Sequence, residues 1–155
     1  MPLLASAHEH LLGGLTPGSF LLNVQAFYRH FGLQAAQGDE GHNEEPDHLV
    51  AMLEFCSLLC HLEQEALVNE RDPSPYRRAQ RDFIARYLQP LLCATRESFG
   101  KAREQGLNQT LAQLIQVLPD WVAQQQAELE AQVGPCPQPN AANTDSAADA
   151  RPLWD

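Results

Sequence analysis

The sequence has few basic residues and no long uninterrupted apolar run. Ten Lys and Arg residues, with Lys101 the only lysine, stand against twenty Asp and Glu residues, so the formal net charge is -10. Such a surface repels phosphate backbones and attracts basic peptides, which disfavours nucleic-acid binding. No stretch reaches the roughly 18 apolar residues of a membrane span, and the N-terminus lacks the basic region of a secretory signal. We therefore expect a soluble protein without a membrane span that is not exported.

The sequence also lacks the motifs of common catalytic sites. GxSxG, the P-loop, GxGxxG, HExxH and a paired CxxC are all missing. Of the four cysteines, Cys56 and Cys60 lie in an apolar helical pattern, which favours core cysteines over a metal site. His8 and His10 are interpreted as mobile surface residues. We assign no catalytic residue, no metal and no cofactor, and the free thiols fit a reducing cytoplasm.

Helical spacing of apolar residues is the pattern that is present, and no β-type alternation or repeat accompanies it. It predicts helices at about 19–31 and 47–67 and further helices after 74 and after 108, with kinks at Pro90 and Pro119. The predicted fold is an all-α, single-domain bundle of about five or six helices. This domain spans 19–133, after an N-terminal segment at 1–18 and before a disordered tail at 134–155, whose composition offers little to bury.

The acidic loop at 35–45 leads into the second helix. Pro46 is predicted to open that helix as a first-turn residue, and the acidic side chains beside it favour the positive end of the helix dipole. Asp47 and His48 have two equally weighted interpretations. They cap the backbone N–H groups of the helix start, or they bind a partner.

One face of the second helix is predicted to be polar. The spacing places Asp47, Glu54, His61 and Glu65 on the side opposite the apolar face. A solvated helix face is one interpretation. The other is an acidic groove that receives arginine side chains, because carboxylates bind guanidinium groups through bidentate hydrogen bonds.

Three stretches give the sequence a resemblance to a known family. Glu44 to Leu49, EEPDHL, precedes Leu53-Glu54-Phe55, and AFYRHFGL lies upstream at 26–33. With SPYRRAQRDFIARYLQPLL at 74–92, these stretches resemble the TorD/DmsD/NarJ-type chaperones of molybdenum enzymes. They look most like the chaperone (delta) subunits of the type II dimethyl sulfoxide reductase group, whose clients act on dimethyl sulfide, chlorate, selenate or ethylbenzene. The resemblance covers about 19–133.

The resemblance implies a cytoplasmic, non-catalytic, all-α chaperone. Such a protein binds the twin-arginine signal peptide, or another N-terminal part, of the precursor of a molybdopterin-containing catalytic subunit, and holds that subunit back from export until its cofactor is inserted. The acidic composition agrees, because this client segment carries paired arginines and then an apolar stretch. A small helical metal-binding protein and an adaptor of unrelated partner are the alternatives.

The predicted client-binding residues cluster around the start of the second helix. Asp47 and His48 lie at the mouth of the surface, Pro46 sets the turn, Glu45 and Glu54 supply charge, and Tyr28 or Phe55 supplies apolar contact. Replacing Asp47 and His48 by alanine is expected to weaken client binding and to leave helicity largely intact, since an exposed cap contributes only ~1 kcal/mol.

The sequence departs from the family pattern at its start. The resemblance implies two or three helices before the AFYRHFGL stretch, whereas only about eighteen residues precede the first predicted helix. A short variant, a start site placed too late, and a homodimer that supplies the missing cover are three explanations. The helix at 20–31 is then expected to expose part of its apolar face, which a swapped or paired dimer would cover.

Overall fold

The computed structural model describes residues 3–33, 45–102 and 106–138, and within these ranges the chain is helical. Two short 3-10 turns, Ala5–Ala7 and Glu9–Leu12, come first. The α-helices that follow are α1 (Pro17–His30), α2 (Leu49–Val68), α3 (Ser74–Phe83), α4 (Gln89–Ala102) and α5 (Gln109–Val133). The all-α prediction is confirmed.

A π-helical turn joins α3 to α4 into one continuous rod. This turn, Ile84–Leu88, ends two residues before Pro90, where the sequence predicts a kink. Pro90 has no N–H to donate and its ring crowds the preceding turn, and a wider turn relieves that crowding. The described ranges therefore contain four helical rods, slightly fewer than the five or six expected.

Side chains and glycine define the ends of the outer helices. Thr16 caps α1 by accepting the Ser19 N–H at 3.2 Å, and Gly32, at φ 78°, follows the last turn. Asn108 caps α5 by accepting the Thr110 N–H at 2.8 Å. The α5 helix continues through Pro119 without interruption.

The start of α2 differs from the prediction. Pro46 and Asp47 form a turn, and the helix begins at Leu49 with His48 as its cap. The prediction that Pro46 opens the helix is therefore wrong. The backbone on either side of His48 pairs with residues 3–5 instead, and His48 itself is in extended conformation.

An aromatic cluster forms the centre of the core. The rings of Phe55 and Phe83 lie 4.7 Å apart, Phe27 lies 5.4 Å from Phe83, and all three side chains are buried. Edge and tilted contacts of this kind add to the free energy of apolar burial. Because Tyr28 joins the cluster at 4.7 Å from Phe55, the core also fixes the position of the Tyr28 hydroxyl.

Arg81, which forms a buried ion pair with Asp82 on the same helix, links α3 to the end of α5. Arg81 donates from Nε to Asp82 at 2.8 Å, and its Nη1 donates to the carbonyl oxygens of Val133 and Gly134 at 3.1 and 2.9 Å. The guanidinium therefore satisfies carbonyl groups that the last turn of a helix leaves without intrahelical partners.

The predictions of an acidic loop and of a disordered tail stay predictions. Most of the predicted loop at 35–45 and of the predicted tail at 134–155 lies outside the described residues.

None of the helices in the described part combines the length and apolar character that crossing a lipid bilayer requires.

Candidate functional site

The candidate site is the junction before α2, residues 45–48, together with the N-terminal strap, residues 3–12, which lies against it. His48 caps α2 with its ring, since Nδ1 accepts the Val50 N–H at 3.2 Å, and its backbone is extended at φ -72° and ψ 140°. The capping interpretation of His48 is thus confirmed. Its role in binding stays a prediction.

Backbone pairing joins the strap to the junction. Leu4 and His48 form an isolated antiparallel bridge. Ala5 donates its N–H to the Asp47 carbonyl at 3.1 Å, and Leu49 donates its N–H to the Leu3 carbonyl at 2.8 Å. The strap therefore adds a short strand-like segment to the extended backbone before α2.

Asp47 is the one charged side chain of the junction that is completely buried. Its exposed fraction is 0%, and Oδ2 accepts the Ser6 N–H at 2.6 Å. The other carboxylate oxygen, Oδ1, is buried and has no hydrogen-bond partner among the described residues. The expectation that Asp47 is an exposed cap, and that its replacement leaves the fold largely unaffected for that reason, is wrong.

Tyr28 supports the junction from below. Its hydroxyl donates to the Pro46 carbonyl at 2.5 Å, and the side chain is buried. Burial, and then the nearby Cys56, Asp47 and Glu54, raise the pKa of Tyr28 above its usual value. The hydroxyl consequently keeps its proton and donates at neutral pH.

The other predicted site residues divide into buried and exposed ones. Phe55 is fully buried in the aromatic cluster and lies beneath Tyr28. Glu45 and Glu54 are exposed, and Pro46 is half-buried. The structure thus brings Tyr28, Pro46, Asp47 and Phe55 into one connected stack, with the exposed carboxylates outside it.

The polar face predicted for α2 is present but incomplete. Glu54, His61 and Glu65 are exposed on the outer side of the helix. Asp47 does not continue this face, because its carboxylate turns inward toward the strap. The exposed carboxylates therefore form a surface separate from the buried one.

A groove between α2, α3 and α5 was not anticipated from the sequence. Its volume is about 270 Å³, and Leu53, Cys56, Cys60, Leu118 and Trp121 contribute to its wall. Cys60 is exposed there, so the prediction that both cysteines lie in the core is wrong for Cys60. Burial, followed by the effect of Cys60, raises the pKa of Cys56 to about 12, so this thiol stays protonated.

Polar residues of the groove form a network. Glu63 accepts from Arg77 Nε at 2.7 Å with one oxygen and from Gln80 Nε2 at 2.7 Å with the other. Both partners lie on α3, in the stretch RRAQ, and no sequence pattern indicated that they share an acceptor. The network neutralises Glu63 and joins α2 to α3.

The histidines of the strap differ from each other. His10 is exposed, whereas His8 is buried at 9% exposure, so the interpretation of His8 as a mobile surface residue is wrong. Their rings meet edge to face at 5.8 Å. Within 3–33, 45–102 and 106–138, no three His, Cys, Asp or Glu side chains lie close enough together to hold a metal ion.

Comparison with known proteins identifies the family. The family described as nitrate reductase delta subunit matches residues 1–94, which includes the strap, the junction and α2. The chain belongs to this family. The resemblance to molybdenum-enzyme chaperones is thereby confirmed at the level of the family. No solved structure matches the chain.

Individual relatives are assembly chaperones. The chain is 45% identical over 155 residues to the dimethyl sulfide dehydrogenase assembly chaperone protein of Rhodovulum sulfidophilum, covering 98% of this chain and 62% of that relative. It is 44% identical over 68 residues to the selenate reductase assembly chaperone protein of Thauera selenatis, covering 44% of this chain and 34% of the relative. The chain thus spans less than two thirds of the length of either.

Proposed function

We propose that the chain is a cytoplasmic chaperone dedicated to one molybdenum enzyme. It binds the N-terminal region of the catalytic-subunit precursor, with paired arginines followed by an apolar stretch, and holds it back from export until the cofactor is inserted. The observation that carries this proposal is the 45% identity, along 98% of the chain, to a relative named as an assembly chaperone.

The charge of the chain supports a basic client. Twenty acidic residues stand against ten basic ones, and Glu45 and Glu54 are exposed beside the junction. Carboxylates bind arginine through charge-assisted bidentate hydrogen bonds, and a surface with excess negative charge accelerates the encounter with a cationic segment. Client recognition is therefore expected to weaken as the salt concentration rises.

The junction supplies the geometry for such binding. Pro46, Asp47 and His48 form the turn to which the client docks, while Tyr28 and Phe55 hold that turn in place from the core. The protein acts by binding, shielding and release, without turnover and without a cofactor of its own.

Homodimerisation is a separate proposal, for which the exposed Leu114, Val117 and Trp121 on α5 offer an apolar surface.

The proposal is tested by fluorescence anisotropy of a labelled synthetic peptide with two adjacent arginines followed by an apolar stretch. The protein should bind this peptide more tightly than a peptide with both arginines replaced by alanine. Glu54→Gln should weaken binding by a few-fold, because it removes one exposed charge near the junction. Glu70→Gln, an equal charge change two residues beyond the C-terminal end of α2, is the matched control and should bind like the unaltered chain.

A second measurement addresses recognition elsewhere on the client. Tagged protein is used to capture partners from the native cytoplasm, and the precursor of a molybdenum-enzyme catalytic subunit should be among them. Absence of both peptide binding and a captured precursor would contradict the proposal. Stoichiometric zinc or iron in the purified protein would instead favour the alternative of a small metal-binding protein.

A further inference from the structure

The strap makes its contacts with the junction through its backbone. Three hydrogen bonds connect the two, and the strap contributes the Ala5 N–H, the Ser6 N–H and the Leu3 carbonyl. Backbone groups of this kind occur in every segment that lacks proline. Another extended segment is therefore able to form the two bonds of the Leu4–His48 bridge, from the Ala5 N–H and to the Leu3 carbonyl, as peptides do when they add a strand to an exposed backbone edge. The Ser6 bond depends on the 3-10 turn Ala5–Ala7, so an extended segment would need a side-chain donor in its place.

The strap leaves the Asp47 carboxylate incompletely satisfied. One oxygen accepts the Ser6 N–H, while Oδ1 is buried without a partner among the described residues. A buried acceptor without a hydrogen bond lowers stability, and an ionised carboxylate has room for several donors. A segment that brings an arginine can donate to both oxygens at once, which the Ser6 backbone alone cannot do.

Two glycines follow the strap. Gly13 and Gly14 have φ angles of 58° and 85°, which suit glycine, and a Cβ atom added to either would meet no other atom within 4 Å. The two helical turns of the strap contain three and four residues, and Ala5 is the small side chain that enters the core at the point of pairing. Release of residues 3–6 uncovers the small Ala5 side chain, and rotation of the whole strap about Gly13 and Gly14 also uncovers Leu12, which is buried.

From these contacts we propose that the junction is a strand-pairing site, in which the client segment replaces residues 3–6. The client pairs in extended conformation with the backbone at Asp47 and Leu49. An arginine of the client donates a hydrogen bond to the unpartnered Oδ1 of Asp47. The strap rotates away about Gly13 and Gly14. This inference rests on the proposed function and specifies how the client is held.

Hydrogen exchange of the unaltered chain tests the replacement directly. Addition of the twin-arginine peptide should accelerate amide exchange in residues 3–12, because Ala5 and Ser6 lose their acceptors. The Leu49 amide should stay protected, since a client carbonyl takes the place of the Leu3 carbonyl. A client that docks beside the strap would leave exchange in residues 3–12 unchanged or slower, and that result would overturn the proposal.

A pair of substitutions at Ser6 tests the same competition by affinity. Ser6→Pro removes the N–H that Asp47 accepts and should loosen the strap, so the peptide should bind about tenfold more tightly, the effect of losing one hydrogen bond to a charged group. Ser6→Ala keeps the N–H and should bind like the unaltered chain. Equal or weaker binding by Ser6→Pro with unchanged circular dichroism would overturn the proposal.

The two levels of inference fail in different ways. Peptide binding with unchanged exchange in residues 3–12 contradicts strand replacement alone and leaves the chaperone function supported. Loss of binding to every form of the chain, including Ser6→Pro, contradicts both. If Ser6→Pro does not fold, exchange in the unaltered chain still decides the question.

Discussion

Two buried carboxylates in this molecule have opposite surroundings. Asp47 and Asp82 are both 0% exposed. Asp82 accepts from the Arg81 guanidinium, which also donates to two carbonyl oxygens at the end of α5. Asp47 accepts one backbone N–H and has an oxygen without a partner among the described residues.

On the proposed binding mode, the difference separates a structural group from a binding group. A charge buried beside an opposite charge, with its remaining hydrogen bonds made, holds helices together. A charge buried beside neutral N–H groups and left partly unsatisfied gains stability when a cation arrives. Asp82 therefore belongs to the fold, and Asp47 is placed where a client arginine would complete its hydrogen bonds.

The largest expected effect on stability is at Asp82. Asp82→Asn removes the charge that compensates buried Arg81, and breaking a buried pair by removing one partner lowers the free energy of unfolding by about 3–5 kcal/mol. Urea unfolding followed by circular dichroism measures the change. Asp120→Asn, which removes the partner of Arg96 in a pair whose Asp120 side chain is 77% exposed, is the control and should leave the unfolding midpoint almost unchanged. Equal midpoints for Asp82→Asn and the unaltered chain would contradict the structural role.

A smaller effect on stability is expected at Asp47, and a larger one on binding. Asp47→Asn keeps an oxygen that accepts the Ser6 N–H but loses the charge of the acceptor, which lowers the free energy of unfolding by about 1 kcal/mol. Affinity for the twin-arginine peptide should fall at least tenfold, whereas folded Asp82→Asn should bind normally. Anisotropy and urea unfolding on both variants give the comparison. If Asp82→Asn lowers both stability and peptide affinity more than Asp47→Asn does, the distinction between the two carboxylates is wrong.

The helical spacing was sufficient for most of the fold, because apolar side chains at intervals of three and four residues must face one core. It placed the ends of α1 and α2 within two residues of the observed ones, but it assigned Pro46 to the first turn of α2, which begins at Leu49. Pro46 misled there, since a proline before an apolar run suits a helix start and a turn equally well. Backbone pairing between the strap and the junction accompanies the start of α2 at Leu49, and such pairing leaves no pattern in the order of the side chains.

The candidate site was harder to predict than the fold. Tyr28, Pro46, Asp47 and Phe55, which were predicted as client-binding residues, lie together in the structure, and their role in binding stays a prediction. The burial of Asp47 contradicts the general tendency of aspartate to stay exposed. Arg81 and Asp82 lie in a charged stretch, RRAQRDF, whose pattern also fits a solvated helix face. Their burial depends on the approach of the α5 end some fifty residues later, and neither local charge nor helical spacing reports such a contact.

The smallest expected effect concerns the hydrogen bond that supports the Asp47 turn from below. Tyr28→Phe removes the donor to the Pro46 carbonyl and should lower the free energy of unfolding by about 1 kcal/mol at neutral pH, with the aromatic contact to Phe55 retained. Tyr87→Phe is the matched control, because Tyr87 is a second, half-buried tyrosine whose pKa is also raised, chiefly by burial. At neutral pH it should cost less than Tyr28→Phe.

The pH dependence of stability tests whether the Tyr28 hydroxyl is buried in its protonated form in the folded chain. Burial raises the pKa of Tyr28 above its usual value of 10.0, so the folded state favours the protonated hydroxyl. This contribution is fully present below the unfolded pKa and is lost as the pH rises through and beyond that value. The loss of stability between about pH 9 and about pH 11 should therefore be shallower in Tyr28→Phe than in the unaltered chain. If Tyr28→Phe loses stability with rising pH as steeply as the unaltered chain, then Tyr28 ionises as freely in the folded chain as in the unfolded one. The support of the Asp47 turn by a buried, protonated hydroxyl would then be wrong.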